Sequence, residues 1–189
     1  DSGSSMAKML SEEDQKASEF VQTRTQHKDK IITVGLPFRN SPPNLPDNQA
    51  NSYRRLYNVE NVLLQNKDKK EEYCAGIQDY IDRGFVVECT DEEVTNTPPG
   101  QSWVLPHHPV YKPESESPKL RIVFDGKCRT KGMSLNSELM SGPKLQADLY
   151  NILMRYRRFE FVVQADISKC FNNIRLFPED TQYCRFLWR

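Results

Sequence analysis

The spacing of apolar residues predicts helices along the first half of the chain. Ser11 is followed by three acidic residues, which is typical of a helix N-terminus, and we expect a short helix from there to about Thr25. Apolar residues at helical spacing predict two longer helices, over 48–65 and 69–83, the second of which ends at Gly84. The aromatic residues at this spacing are expected in the core: Tyr53, Tyr57, Tyr73 and Tyr80.

Alternating and continuous apolar runs predict short strands between and after these helices. Residues 30–36 and 85–89 each suit one strand, and 90–102 is expected to be a loop. Two further runs, 103–112 and 119–125, predict a hairpin whose polar tip is 113–118.

The last third of the chain predicts one helix, over 145–158, and two more strands. The apolar run 161–165 has the composition of a buried strand and leads directly into Asp166. The end of the chain, 182–189, is expected to start another strand with Cys184, Phe186 and Trp188 on one face. Together these elements predict an α+β fold with a small antiparallel sheet.

Composition and charge narrow the class of protein. The chain has 189 residues, enough for one domain or two small ones, and its 37% hydrophobic content is that of a globular chain. No apolar run approaches 18 residues, so we expect no membrane span. The net charge is zero, but residues 1–100 carry 12 basic and 17 acidic side chains, and residues 101–189 carry 14 and 9. The basic half favours a polyanionic partner, and ordinary surface charge is the alternative.

Cysteine and histidine usage bears on redox compartment and metal chemistry. The five cysteines form no close pair and leave one over, which argues against a disulfide framework or a Cys-x-x-Cys zinc site and favours an intracellular protein. The three histidines, His27, His107 and His108, are too few and badly spaced for a metal cage. His107 and His108 lie between prolines and either act as general acid or ligand or shape a turn.

Asp166 is the most specific candidate for chemistry. A carboxylate at the end of a buried strand needs a partner, because its desolvation is expensive. A bound Mg²⁺ is one such partner, since this ion prefers hard oxygen ligands. The alternative is that Asp166 caps a helical turn through Lys169 and Phe171.

The run 119–125 alternates strictly and presents a basic face. Lys119, Arg121, Val123 and Asp125 share one face, opposite three apolar residues. Such a face can grip a triphosphate, because the guanidinium of arginine offers a planar fork to phosphate oxygens. The alternative is a solvated strand face with a local Arg–Asp pair.

Ordered blocks of this sequence resemble the reverse transcriptase of BEL/Pao-type LTR retrotransposons. The similarity spans roughly residues 11–189, and its upstream part, including Val34–Phe38, is similar to the segment that links the aspartic protease of that family to its polymerase. The blocks that carry the resemblance are Leu105–Val110, Lys119–Asp125, Ser134–Asn136, Gly142–Leu149, Ala165–Phe171 and Pro178–Arg189.

The resemblance implies the fold of a right-hand polymerase. Residues 1–10 would be a flexible leader or tag remnant and 11–84 a helical linker or subdomain. The fingers would occupy 85–158, and the palm would begin at 159–189.

The resemblance also implies roles for individual residues. Asp166 would be the first metal-binding carboxylate, with the Ile167 carbonyl beside it, holding two Mg²⁺ ions for nucleotidyl transfer. Arg121 would hold the incoming deoxynucleoside triphosphate, with Lys119 next to it, and Phe171 would be the steric gate against a ribose 2′-hydroxyl. The partners would be an RNA or DNA template–primer and the nucleotide.

The sequence departs from the family at one decisive point. Two-metal catalysis needs a second carboxylate, which the family supplies in a Tyr-x-Asp-Asp hairpin, and this sequence contains no Asp-Asp pair. The remaining palm, the thumb and an RNase H domain are also missing from it, so we expect no polymerase activity from this chain alone.

Two hypotheses therefore remain. The chain is either a fragment of a reverse transcriptase or a repurposed, possibly domesticated, binding module without catalysis. In the second case we expect a protein partner or a homodimer over the strand edge near Trp188. The repurposed module would bind protein or nucleic acid. Where nucleic acid is bound, we expect the basic cluster Arg155, Arg157 and Arg158 to contact it.

Overall fold

A computed structural model describes residues 10–111 and 120–189 of the chain. Within these residues the fold is mixed α+β, with seven α-helices, a three-stranded mixed sheet and a two-stranded antiparallel sheet. The expected α+β class is confirmed at this level. The helices are α1 (Glu12–Thr23), α2 (Gln49–Leu64), α3 (Lys67–Asp82), α4 (Asp91–Thr95), α5 (Leu135–Glu138), α6 (Leu149–Tyr156) and α7 (Pro178–Thr181). The strands are β1 (Thr25–Lys28), β2 (Ile31–Val34), β3 (His107–Tyr111), β4 (Leu120–Phe124) and β5 (Ile174–Leu176).

The chain divides into two compact units. The first comprises the described residues of Asp1–Val34 together with Met140–Arg175. The second comprises those of Gly35–Leu139 together with Leu176–Arg189. The boundaries expected from the resemblance, after residues 84 and 158, fall inside these units and stay predictions.

The first unit begins with the helix that the acidic run predicts. The Ser11 hydroxyl accepts a hydrogen bond from the Asp14 amide at 3.1 Å, and the Asp14 carboxylate accepts one from the Ser11 amide at 3.3 Å. This reciprocal pair satisfies two amides that have no partner inside the helix. β1 and β2 then form an antiparallel hairpin, and the sheet has the order β1-β2-β5.

The first unit has almost no buried core. Ala17, 4% exposed, is the single buried side chain among its described residues. α6 starts where the Asp148 carboxylate accepts a hydrogen bond from the Tyr150 amide at 2.9 Å, four residues later than the sequence predicts. None of the α6 side chains is buried.

The second unit contains the hydrophobic core. The core cluster centres on Trp103, which is fully buried, and its other buried members are Leu45, Leu105, Leu135 and Tyr183. The backbone next to Trp103 pairs with the C-terminal segment: the Trp103 amide donates to the Gln182 carbonyl at 3.1 Å, and the Leu105 amide donates to the Arg185 carbonyl at 2.7 Å. The core therefore depends on residues that are some 80 positions apart in sequence.

The predicted hairpin is confirmed as β3 and β4. Val110 pairs with Arg121 and Tyr111 with Leu120, and exposure alternates along β4 as the sequence pattern predicts. α3 packs against β4, and α2 packs against β3. The expected tip, 113–118, lies outside the described residues.

Both long helices of the first half are confirmed, but the aromatic residues of α2 are not in the core. Tyr53 and Tyr57 are 52% and 58% exposed, whereas Tyr73 on α3 is fully buried and Tyr80 half-buried. The expectation is wrong for α2 because small and aliphatic residues, Ser52, Leu56 and Leu63, form the buried stripe. The tyrosines Tyr53 and Tyr57 lie on the adjacent stripe of the same helix, and helical spacing alone did not show which of the two stripes is buried.

Three smaller predictions also fail. No strand forms over 85–89, which has no ladder partner among the described strands. The expected loop 90–102 contains α4, because the Thr90 hydroxyl and the Glu93 carboxylate form a capping box there. The predicted strand at 182–189 is instead a 3₁₀ turn over Gln182–Cys184 followed by an extended segment with one bridge, between Val104 and Arg185.

Two further observations concern bilayers and thiols. Within residues 10–111 and 120–189, no helix combines the length and the apolar composition needed to cross a membrane. All five cysteines are free thiols.

A matched pair of leucine substitutions tests where the core lies. We expect Leu105→Ala to lower the free energy of unfolding by about 2–5 kcal/mol, because Leu105 is 8% exposed and its removal leaves a cavity. Leu145→Ala should change it by less than about 0.5 kcal/mol, since Leu145 is 88% exposed. Urea unfolding followed by circular dichroism measures both, and equal losses would contradict this assignment of the core.

Candidate nucleotide and metal site

The segment before Asp166 is not the buried strand that its composition predicts. Residues 161–165 have no regular structure and are exposed, and Phe161 and Val163 are 85% and 92% exposed. The prediction is wrong because a buried strand needs neighbouring strands and a covering layer, and none of the five described strands pairs with this segment.

Asp166 itself is exposed, and it does not cap the turn that follows it. The turn after it is a 3₁₀ helix, Cys170–Asn173, whose N-cap is Lys169 in the left-handed conformation (φ 50°). Asp166 is therefore not the cap of this turn. Its carboxylate is also not desolvated, so the burial argument for a cation does not apply to it here.

The residues present do not make a two-metal site. In the part of the chain that the structure describes, no group of three or more His, Cys, Asp or Glu side chains is placed so that it could hold a metal ion. Asp166 is the only carboxylate in residues 161–178, and the neighbouring Ile167 side chain is 68% exposed. One carboxylate does not hold two Mg²⁺ ions, so the described residues do not by themselves form a two-metal centre.

Phe171 is presented to solvent on the short 3₁₀ helix. Its side chain is 89% exposed. The turn beneath it is closed by Asn173, whose side-chain amide donates to the carbonyls of Ser168 and Lys169, both at 3.1 Å. Asp166, Ile167 and Phe171 thus share one exposed stretch of the first unit.

Arg121 belongs to the second unit. It lies on the exposed face of β4 with Val123, opposite Val110 of β3. The local Arg–Asp pair, considered as an alternative for this face, does not involve it, because Asp125 pairs with Arg55 of α2 at 3.1 Å. Lys119, the other expected nucleotide ligand, lies outside the described residues.

The three arginines expected to contact nucleic acid are at the end of α6. Arg155 is in its last turn and donates to the Asn151 carbonyl at 3.3 Å, and Arg157 and Arg158 follow directly. All three are exposed, and none has a carboxylate within 4 Å among the described residues. They are accordingly free to bind an external anion.

The sequence pattern did not predict the buried environment of His107 in the second unit. His107 neither shapes a turn nor faces solvent, since it begins β3 and is 4% exposed. Its Nε2 lies 2.7 Å from the Leu187 carbonyl and its Nδ1 lies 2.5 Å from the Tyr73 hydroxyl. A carbonyl only accepts, so Nε2 carries the proton and the Tyr73 hydroxyl donates to Nδ1.

The environment of His107 favours the neutral form of its ring. Aromatic rings of Phe124, Phe186 and Trp188 surround it. Burial lowers the pKa of His107 below its ordinary value of 6.5, and burial also raises the pKa of Tyr73. The sequence offered only a weak indication that His107 is buried, namely its position at the start of a run that was predicted to be a strand.

Comparison of the chain with models of protein families, with curated proteins and with solved structures finds no match. The resemblance to BEL/Pao reverse transcriptases therefore stays a hypothesis that is carried by the residues quoted above.

The buried histidine predicts a pH dependence of stability. Because the folded state lowers the pKa of His107, the unfolded chain takes up a proton first as the pH falls below about 6.5. Stability should therefore be greatest above that pH and should decline below it by at most about 1.4 kcal/mol per pH unit from this group. Urea unfolding between pH 8 and pH 5 measures the decline.

Two glutamine variants provide the control for this experiment. The His107→Gln variant should lack this part of the decline, and the His108→Gln variant should keep it, because His108 is only half-buried. The same pH profile in wild type and His107→Gln would refute the assignment.

Proposed function

We propose that this chain is the fingers and opening palm segment of an intracellular RNA-directed DNA polymerase of the BEL/Pao type, inactive by itself. The observation that carries the proposal is the apolar run 161–165 with Asp166 directly after it. Phe161, Val162 and Val163 favour a strand, yet they are exposed. In a larger sheet this run would be a central strand that ends in a carboxylate.

The exposure of the first unit supports the same proposal. Its large apolar side chains extend from α6 through Phe171 without a covering layer in the described residues. Exposed apolar side chains in such number are typical of a segment that packs against another part of a protein. The rest of a palm, packed on these side chains, would bury them and would bring a second carboxylate motif towards Asp166.

The proposed nucleotide contacts use groups that are available to a ligand. Arg121 is exposed on β4 and has no carboxylate within 4 Å among the described residues, so its guanidinium can receive phosphate oxygens. Lys119 would assist it. Phe171 would contact the sugar, and Mg²⁺ would be held by Asp166, the Ile167 carbonyl and the second carboxylate motif of the complete enzyme.

Primer extension by the product of the natural reading frame tests this function. We expect the frame to continue past the codon for Arg189 to a Tyr-x-Asp-Asp motif, and its full product to extend a primer on an RNA template. Asp166→Asn should abolish extension, because it removes a metal-binding carboxylate. Phe171→Ala should raise incorporation of ribonucleotides relative to deoxynucleotides.

Glu160→Gln is the matched control for this test, since it makes the same change of charge on an exposed residue nearby and should retain activity. A stop codon directly after Arg189, or unchanged extension by Asp166→Asn, would overturn the proposal.

The second candidate is a repurposed binding module for protein or nucleic acid. It is favoured by the fact that the described residues contain exposed arginines and apolar side chains but no group of His, Cys, Asp or Glu side chains that could hold a metal ion. Under it we expect a partner or a homodimer at the C-terminal segment, where Trp188 is 37% exposed. A clean monomer at micromolar concentration in light scattering would count against the homodimer.

The first candidate, and the second where the module binds nucleic acid, predict that the arginines at the end of α6 contact that nucleic acid. Replacing Arg155, Arg157 and Arg158 with Gln should weaken RNA or DNA binding by about tenfold and reduce the slope of log K against log salt by about 2. Fluorescence anisotropy at several salt concentrations measures both quantities. If affinity and slope are unchanged, these arginines do not contact the ligand.

A further inference from the structure

A cavity in the second unit lies between α2, α3 and the C-terminal segment. Its volume is about 200 Å³. The apolar side chains that line it are Leu56, Val59, Leu63, Leu64, Tyr73 and Trp188. Because Leu64 and Trp188 are 66% and 37% exposed, this apolar wall continues onto the surface of the protein.

The volume of the cavity indicates what kind of group fits it. An apolar cavity of about 150 Å³ takes one benzene ring, whereas sites for small molecules usually have about 300–1,000 Å³. The cavity between α2 and α3 therefore has room for one aromatic or large aliphatic side chain. Such a space is typical of an anchor pocket in a protein interface, which a single side chain of the partner fills.

A stripe of α2 leads along the helix to this cavity. At three- and four-residue spacing, one face of the helix carries the four residues of this α2 stripe, Tyr53, Tyr57, Glu60 and Leu64. Glu60 and Leu64 line the cavity, and the two tyrosines are 52% and 58% exposed. Glu60 and, to a smaller extent, the two tyrosines raise the pKa of Arg189, so the tyrosines lie near this further lining residue. Tyrosine, tryptophan and arginine are the residue types enriched at the centre of protein interfaces.

The charged residues that line the cavity indicate the charge of the partner. The Glu60 carboxylate accepts a hydrogen bond from Nε of Arg189 at 2.8 Å and another from a terminal nitrogen of the same guanidinium. This pairing holds the pKa of Glu60 below its usual range. Lys70 also lines the cavity and is exposed, and it has no carboxylate within 4 Å in residues 10–111 and 120–189. One positive charge is thus left without a counterion, and a carboxylate of the partner would neutralise it.

We propose that this cavity and the α2 stripe form a docking site for a protein segment that inserts one large apolar side chain and places an acidic residue opposite Lys70. The proposal rests on the second candidate function, because it describes the chemistry of the partner at the C-terminal segment. A nucleic acid suits the site less well, since the site offers one unpaired cation beside an ionised carboxylate, whereas a phosphate backbone is bound by several cations.

Selection of random peptides displayed on phage tests the docking site. The library is selected against this chain and, in parallel, against its Lys70→Glu variant. We expect wild type to enrich peptides in which Trp, Phe or Leu lies near an acidic residue, and Lys70→Glu to enrich a basic residue in its place, because the variant inverts the unpaired charge. Lys127→Glu is the matched control and should select the wild-type motif, since Lys127 is exposed and does not line the cavity.

The most enriched peptide, carrying a fluorescent label, then measures the contribution of the cavity by anisotropy. Val59→Phe fills the cavity from α2 and should raise Kd by about tenfold or more, and Cys74→Phe fills it from α3 with the same expected result. Val62→Phe makes the same change at a residue that is 65% exposed and does not line this cavity, and it should alter Kd less than about twofold. Tyr57→Ala shortens the α2 stripe and should raise Kd about three- to tenfold. Circular dichroism confirms the fold of each variant.

Each result decides the proposal. It is overturned if wild type enriches no motif, if Lys70→Glu selects the wild-type motif, or if Val59→Phe and Val62→Phe change Kd equally. A dimer in analytical ultracentrifugation that Val59→Phe dissociates would also overturn it, because a second copy of the chain would then occupy the cavity. Such a failure leaves the polymerase proposal intact, since no variant changes Asp166 or Arg121, and it leaves the second candidate intact if the chain binds nucleic acid.

Discussion

The second unit depends on one buried polar contact, in which His107 joins three parts of the chain. His107 is the first residue of β3. Its ring accepts a hydrogen bond from the Tyr73 hydroxyl on α3 and donates one to the Leu187 carbonyl of the C-terminal segment. Both ring nitrogens are satisfied, so the histidine can be buried without an unpaired donor or acceptor. Phe124 of β4 and Phe186 and Trp188 of the C-terminal segment pack around the same ring. The backbone hydrogen bonds from Trp103 and Leu105 continue the contact towards the core.

The described residues of the first unit contain no comparable buried polar contact, and this difference bears directly on the proposed polymerase site. Ala17 is its single buried side chain in the described residues, whereas the proposed metal and sugar contacts, Asp166 and Phe171, are exposed. Catalytic groups act only when packing holds them in place. The proposed polymerase site is therefore incomplete in two ways, because it lacks a second carboxylate and it lacks the packing that would position the first.

The sequence predicted the elements whose determinants are local. The capping box of Ser11, the glycine end of α3 and the alternating strand β4 each follow from a few neighbouring residues. It did not predict features that depend on distant partners: the pairing of His107 with Leu187 joins residues that are 80 positions apart. The run 161–165 shows the converse, since its composition favours a strand but the described residues supply no neighbour for it. The candidate site was predictable as a set of residue types, and its geometry was not.

Hydrogen exchange of the whole chain, followed by mass spectrometry, tests the contrast between the two units most directly. Exchange reports the local free energy of opening. The account predicts slow exchange at the amides of Trp103 and Leu105 and in β4, and exchange at the rate of an unstructured peptide over residues 159–168. Protection of 159–168 as strong as that of β4 would contradict it, because the proposed palm strand would then be covered within this chain.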